Sequence, residues 1–129
     1  MRKMILPGVL MLILVAGCKA KLNSESTVAL TSGDMKSTII DPISKAQDII
    51  VSAKAASGKF NVYVFLAKDQ ADVEKAINQT KVSDKVIAHK LDTSDADLKA
   101  NIPANSEAIV LLTPGADGKK AEVKLKITN

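Results

Sequence analysis

The chain contains no tryptophan, one tyrosine and two phenylalanines, and it has a single histidine, a single cysteine and a single arginine. Each shortage removes a class of function. With one cysteine, no internal disulfide can brace the fold, so stability rests on packing alone. Zinc sites draw three or four ligands mostly from histidine and cysteine, and neither is present in number. The lone arginine is Arg2. Without an arginine cluster, a basic stripe or aromatics to stack on bases, nucleic-acid binding has no support. No G-x-S-x-G turn occurs to carry a serine nucleophile. The longest apolar run, Ile5 to Ala16, covers 12 residues, whereas a spanning helix needs about 20.

What is present begins with unevenly placed charge. The formal net charge is +4. Arg2, Lys3, Lys19 and Lys21 all precede Asn23, and from there on 14 lysines face 14 acidic residues. The basic character belongs to the start of the chain, not to the body that follows.

Those first residues have an order. Arg2 and Lys3 precede the apolar run, and the small residues Ala16 and Gly17 stand directly before Cys18. A charged start, a short apolar segment and small residues are the parts of a secretory leader. Val15-Ala16-Gly17-Cys18 resembles the lipobox of bacterial lipoproteins, with Val15 where leucine is usual and Leu14 one place earlier. The resemblance covers residues 1–18. It implies cleavage between Gly17 and Cys18, acylation of Cys18 by chains such as palmitate, and attachment to membrane lipid. It also accounts for an odd cysteine in an exported chain. Lys19, rather than an aspartate, follows Cys18, which implies the outer membrane, facing the periplasm, over the inner one. Residues 1–17 are then a signal peptide, 18–26 a lipid-bearing N-terminus and polar tether, and 27–129 one domain with one hydrophobic core.

From Thr27 onward the dominant signal is β. Val28–Leu30, Lys36–Ile40, Phe60–Leu66 and Ala108–Thr113 are β-branched or apolar runs set between turn residues. Ala96, Leu98, Ala100 and Ile102 alternate with polar residues, as do Ala121, Val123, Leu125 and Ile127. One buried and one wet face is the pattern of an antiparallel sheet. Ser32-Gly33-Asp34 predicts a turn. Pro114–Gly118 predicts a hairpin loop, and Leu98–Leu112 a hairpin joined through Ile102-Pro103-Ala104-Asn105. One helix is expected over 69–78: Asp69 can cap it, Asp72 lies in its first turn, and Val73, Ala76 and Ile77 form an apolar stripe.

Residues 43–57 are ambiguous. Ala46, Ile49, Ile50, Ala53 and Ala56 fit helical spacing, with Pro42 before them and Gly58 after; an added helix there makes the fold α/β. Consecutive Ile49, Ile50 and Val51 favour a strand, hairpin-paired with Phe60–Leu66 around Ser57-Gly58. The strand agrees with the rest of the chain. The expected fold is therefore mainly β, an antiparallel β-sandwich with one short helix. The spacing of apolar positions over 98–112 is similar to that of bacterial pre-peptidase C-terminal domains and carries over no functional residue.

Few residues offer chemistry. His89 shares a face with Ile87 and Leu91 if Val86–Leu91 is extended, and no motif supplies it with a nucleophile or an acid. Asp92, Ser94, Asp95 and Asp97 form the one candidate metal cluster. Set on an EF-hand loop, Ala96 falls on a ligand place and Asp97 where glycine is needed; a solvated turn has the same composition. Asp69, Asp72 and Glu74 could pair as glycosidase carboxylates do, but acids at a helix start also complement its dipole. Tyr63 and Phe65, on one strand face with Asn61, suit a core anchor better than a sugar platform. No cofactor is expected. The expected function is that of a membrane-anchored lipoprotein, not an enzyme, with an envelope binding or structural role and an envelope protein or polymer as partner. An assembly factor binding through an open strand edge is the alternative, and an envelope hydrolase the third.

Overall fold

The structure, a computed structural model, describes residues 22–129. The leader, Gly17 and Cys18 lie outside the described residues. The strands are β1 Asn23–Leu30, β2 Lys36–Ile40, β3 Gln47–Ser57, β4 Phe60–Leu66, β5 Ala88–Thr93, β6 Asp95–Ile102, β7 Ala108–Pro114 and β8 Ala121–Thr128. Between β4 and β5 the chain makes a 3-10 turn, Ala67–Asp69, and helix α1, Gln70–Asn78.

Pairing follows a nested plan. β1 pairs with β8, β2 with β7, β3 with β6 and β4 with β5, all antiparallel. The chain is thus one long doubled ribbon, folded back between β4 and β5. Rolling that ribbon brings β8 against β3 and β7 against β4. Two four-stranded sheets result, β1-β8-β3-β6 and β2-β7-β4-β5. This is the jelly-roll form of an antiparallel sandwich, so the expected mainly β fold with one short helix is the fold observed.

The sequence pattern explains the layers. In β3 the residues Gln47, Ile49, Val51 and Ala53 are buried while Asp48, Ile50 and Lys54 are exposed. That period of two makes residues 47–57 a strand, and the α/β alternative with a helix at 43–57 does not hold. β8 alternates in the same way, because the outer face of its sheet meets water. β4 and β7 are apolar almost throughout and buried on both faces. Their inner side chains, such as Phe60, Val62 and Val110, join the core between the sheets. Their outer ones, Tyr63, Phe65, Ile109 and Leu111, form a second cluster with Val73 of α1. The three aromatics therefore divide between two cores, and α1 is the third layer.

Several expected connections are corrected. β3 and β4 do not form a hairpin: they lie in different sheets, and Gly58 carries the chain across. The same holds for β6 with β7 and for β7 with β8, so Ile102–Asn105 and Pro114–Gly118 are crossings between sheets. Alternation encodes which face of a strand is buried and not which strand is its neighbour. β1 begins at Asn23 rather than near Val28, so four residues expected in the tether are paired with β8. Asp69 stands at the N-cap of α1 without a side-chain capping bond, because the preceding 3-10 turn already leads the chain in.

Candidate binding groove

Helix α1 ends in a Schellman motif built on an unfavourable residue. The Thr80 N–H donates to the Ile77 carbonyl at 2.9 Å and the Lys81 N–H to the Ala76 carbonyl at 2.8 Å. This motif needs a left-handed residue, usually glycine. Here it is Thr80, at φ +60°, a strained state for a β-branched side chain. The chain then returns through residues 79–87 to β5. Lys85 Nζ pairs with Asp72 Oδ2 at 2.5 Å, tying the return to the helix. Each partner favours the charged form of the other, so the Asp72 carboxyl sits below its ordinary value and the Lys85 ammonium above.

Opposite Thr80, β5 carries a bulge. Lys90 lies across from Val62 and Thr93 across from Phe60, so β5 has one residue more than β4 over this interval. Within it Asp92 is left-handed, at φ +50°. Asn61 of β4 fixes the bulge. Its Oδ1 accepts from the Asp92 N–H at 2.7 Å, and its Nδ2 donates to Thr113 Oγ1 and to the Pro114 carbonyl, both at 3.0 Å. Asp92 Oδ1 in turn accepts from the Ala116 N–H at 3.2 Å. Gly115 permits this approach, since a Cβ there would sit 2.9 Å from Asp92 Oδ1.

Between the helix end and the bulge lies a groove of about 320 Å³. Tyr63 and Asn61 form its floor, Ile77 and Val82 one wall, and Leu91 the other. Thr80, Lys81 and Asp92 supply polar rims. Tyr63 is 4% exposed; burial raises its phenol pKa, and a hydrogen bond with Thr113 offsets part of that rise. His89 stacks beside it, ring centroids 6.5 Å apart and planes inclined by 15°. Val82, Ile87 and Leu91 are among the few large apolar side chains left in water.

The expected site residues are scattered. Asp92 belongs to the groove rim, whereas Asp97 lies on the other sheet and accepts from Ser52 Oγ at 2.7 Å. Asp95, the first residue of β6, is on that second sheet too. Among the described residues no three His, Cys, Asp or Glu side chains are grouped closely enough to hold a metal ion. Asp72 is engaged by Lys85, and Glu74 Oε2 accepts from Gln70 Nε2 at 2.8 Å, so each of these two helix acids is held by a neighbour of its own. His89 is exposed on an edge strand and is stacked on Tyr63. Thr80, Lys81 and Val82 were not legible as site residues, because nothing local marks a loop that closes over a distant bulge. Leu91 did carry a signal: over 86–91 it shares a strand face with Ile87 and His89.

No family model matches the chain, and no curated protein or solved structure matches it.

Proposed function

We propose that this protein is a bacterial lipoprotein, held in the envelope by acylated Cys18, whose domain is a non-catalytic binding module. The observation that carries the binding role is the coincidence at one groove of strain and exposed apolar surface. Among the described residues three non-glycine residues have positive φ, Thr80, Asp92 and Asn105, and two of them line this groove. Strained backbone persists where surrounding structure enforces it, and it collects at sites of function. The aliphatic walls with one cation, Lys81, and one anion, Asp92, suit an extended segment of an envelope protein that buries an apolar side chain on Tyr63.

A second reading has its own observation. β1 is an eight-residue edge strand in unbroken register with β8, and Glu25 is its one charge. Edge strands are usually blunted by charge, bulges or shortness. The edge strand β5 is bulged, β6 holds Asp95, Asp97 and Lys99, and β2 has five residues. β1 thus has an edge open to strand addition.

Photo-reactive residues at Leu91, at Thr27 on the β1 edge and at Lys126 on the wet sheet face separate the two readings. In cells carrying the full-length protein, Leu91 should give a discrete crosslinked product that the other positions lack. A product from Thr27 alone favours the assembly reading. Equal yields at all three positions contradict both.

A further inference from the structure

Strand directions decide which end of the sandwich is nearest the leader. β1 starts beside Leu22 and runs away from it, and β8 returns to Thr128. The near end therefore gathers Leu22, the β2–β3 loop, the β6–β7 crossing and the C-terminus. The far end holds the Ser32-Gly33 turn, Gly58 and loop 115–120.

The near end carries an apolar surface at the open seam between β1 and β2. A cavity of about 210 Å³ is lined there by Leu22, Ile39, Ile40 and Ile43, together with the polar Asp41, Gln47 and Asn129. Ile39 is 57% exposed, more than any other large hydrophobic side chain among the described residues. Three residues, Lys19, Ala20 and Lys21, separate Cys18 from Leu22. Fully extended, that link reaches about 14 Å, roughly half the ~26 Å length of an eight-residue strand. A lipid on Cys18 thus brings this end of the domain against the bilayer and leaves the far end in water.

We infer that Leu22, Ile39 and Ile43 form a bilayer-contact surface, which seats the near end of the sandwich in the headgroup region and holds the Tyr63–Leu91 groove clear of the membrane. The inference rests on the lipoprotein reading of Cys18. Its chemistry is that of an interfacial contact: Ile39 is exposed and Leu22 and Ile43 are half-buried, and the aliphatic surface they leave in water gains by burial, which adds to the acyl chains' hold. Asp41 and Lys45 of the β2–β3 loop stay hydrated among headgroups. The tether lysines, Lys19 and Lys21, carry the charge that anionic lipid attracts.

The test uses the full protein purified from membranes, its acylation first checked by intact mass, and reconstituted in phosphatidylethanolamine–phosphatidylglycerol vesicles. Acylated Cys18 has no free thiol, so Ile39→Cys, Ile43→Cys and Ser32→Cys each place one polarity-sensitive fluorophore. Positions 39 and 43 should show blue-shifted emission and several-fold stronger quenching by lipid-borne nitroxide than position 32, at the far turn. Acylated, vesicle-bound protein with all three probes equally water-like overturns the contact surface and leaves the anchor standing. Protein that emerges without acyl mass overturns both.

Discussion

Thr80 and Tyr63 are the residues at which the account can be checked most simply. Thr80 holds a left-handed position that a β-branched residue occupies at a cost. Thr80→Gly should raise the unfolding free energy by about 0.5–1 kcal/mol, because relief of the strain outweighs the extra freedom that glycine gives the unfolded chain. Chemical denaturation of the two proteins measures this, and a destabilised Thr80→Gly would mean that the hydroxyl or methyl group makes a contact worth more than the strain. Tyr63 is the only tyrosine and no tryptophan is present, so phenolate absorbance reports this ring alone. Burial favours its neutral form, which places the native pKa above the ordinary value of about 10. The corresponding stability is fully present below the unfolded value and is lost as pH rises from there towards the native one. An absorbance titration should therefore show phenolate appearing later in native protein than in urea. Coincident curves would contradict a buried Tyr63. The sequence already marked Tyr63 and Phe65 as anchors. It did not show that they anchor a second core under α1, since that depends on a helix that starts five residues after Phe65 docking back on their face.

At the scale of elements, faces were legible and neighbours were not. Ile49, Val51 and Ala53 point inward, as the β reading of residues 43–57 required, and the alternation of β6 and β8 survives intact. The apolar runs of β4 and β7 read as strands, and their lack of alternation has a cause in the cover that α1 provides. The hairpin between β3 and β4 was the wrong inference from right strands. A two-residue connection serves a hairpin or a crossing equally well, and the choice is made by distant contacts. Gly58 shows this: it has φ +76°, and a Cβ there would overlap the Lys120 carbonyl oxygen of the β7–β8 loop. Gly58→Ala should cost at least about 2 kcal/mol, the sum of left-handed strain and a displaced loop. Thermal denaturation checks this, and a change within about 0.5 kcal/mol, the range of ordinary surface substitutions, would show the crossing to be looser than described.

For the whole molecule, sandwich and groove form one arrangement, to which the proposed lipid attachment adds an orientation. The body is electrically balanced, and Arg2, Lys3, Lys19 and Lys21 all precede it in the chain. The nested pairing makes the first strand, β1, an edge of the sandwich and puts its central partner, β8, in the last segment of the chain. The groove was the least legible part, because it joins a helix end, a strand bulge and a crossing loop from separate stretches of sequence. The proposed lipid attachment rests on residues 1–18 alone, whose order of charge, apolar run and small residues before Cys18 is local. The most direct test of a lipid-anchored module is the intact mass of the protein extracted from its own membrane. It should equal residues 18–129 plus acyl and glyceryl mass on Cys18, and Cys18→Ser should remain uncleaved and lose that mass. A chain that keeps residues 1–17, or one cut elsewhere and free of lipid, would contradict the account.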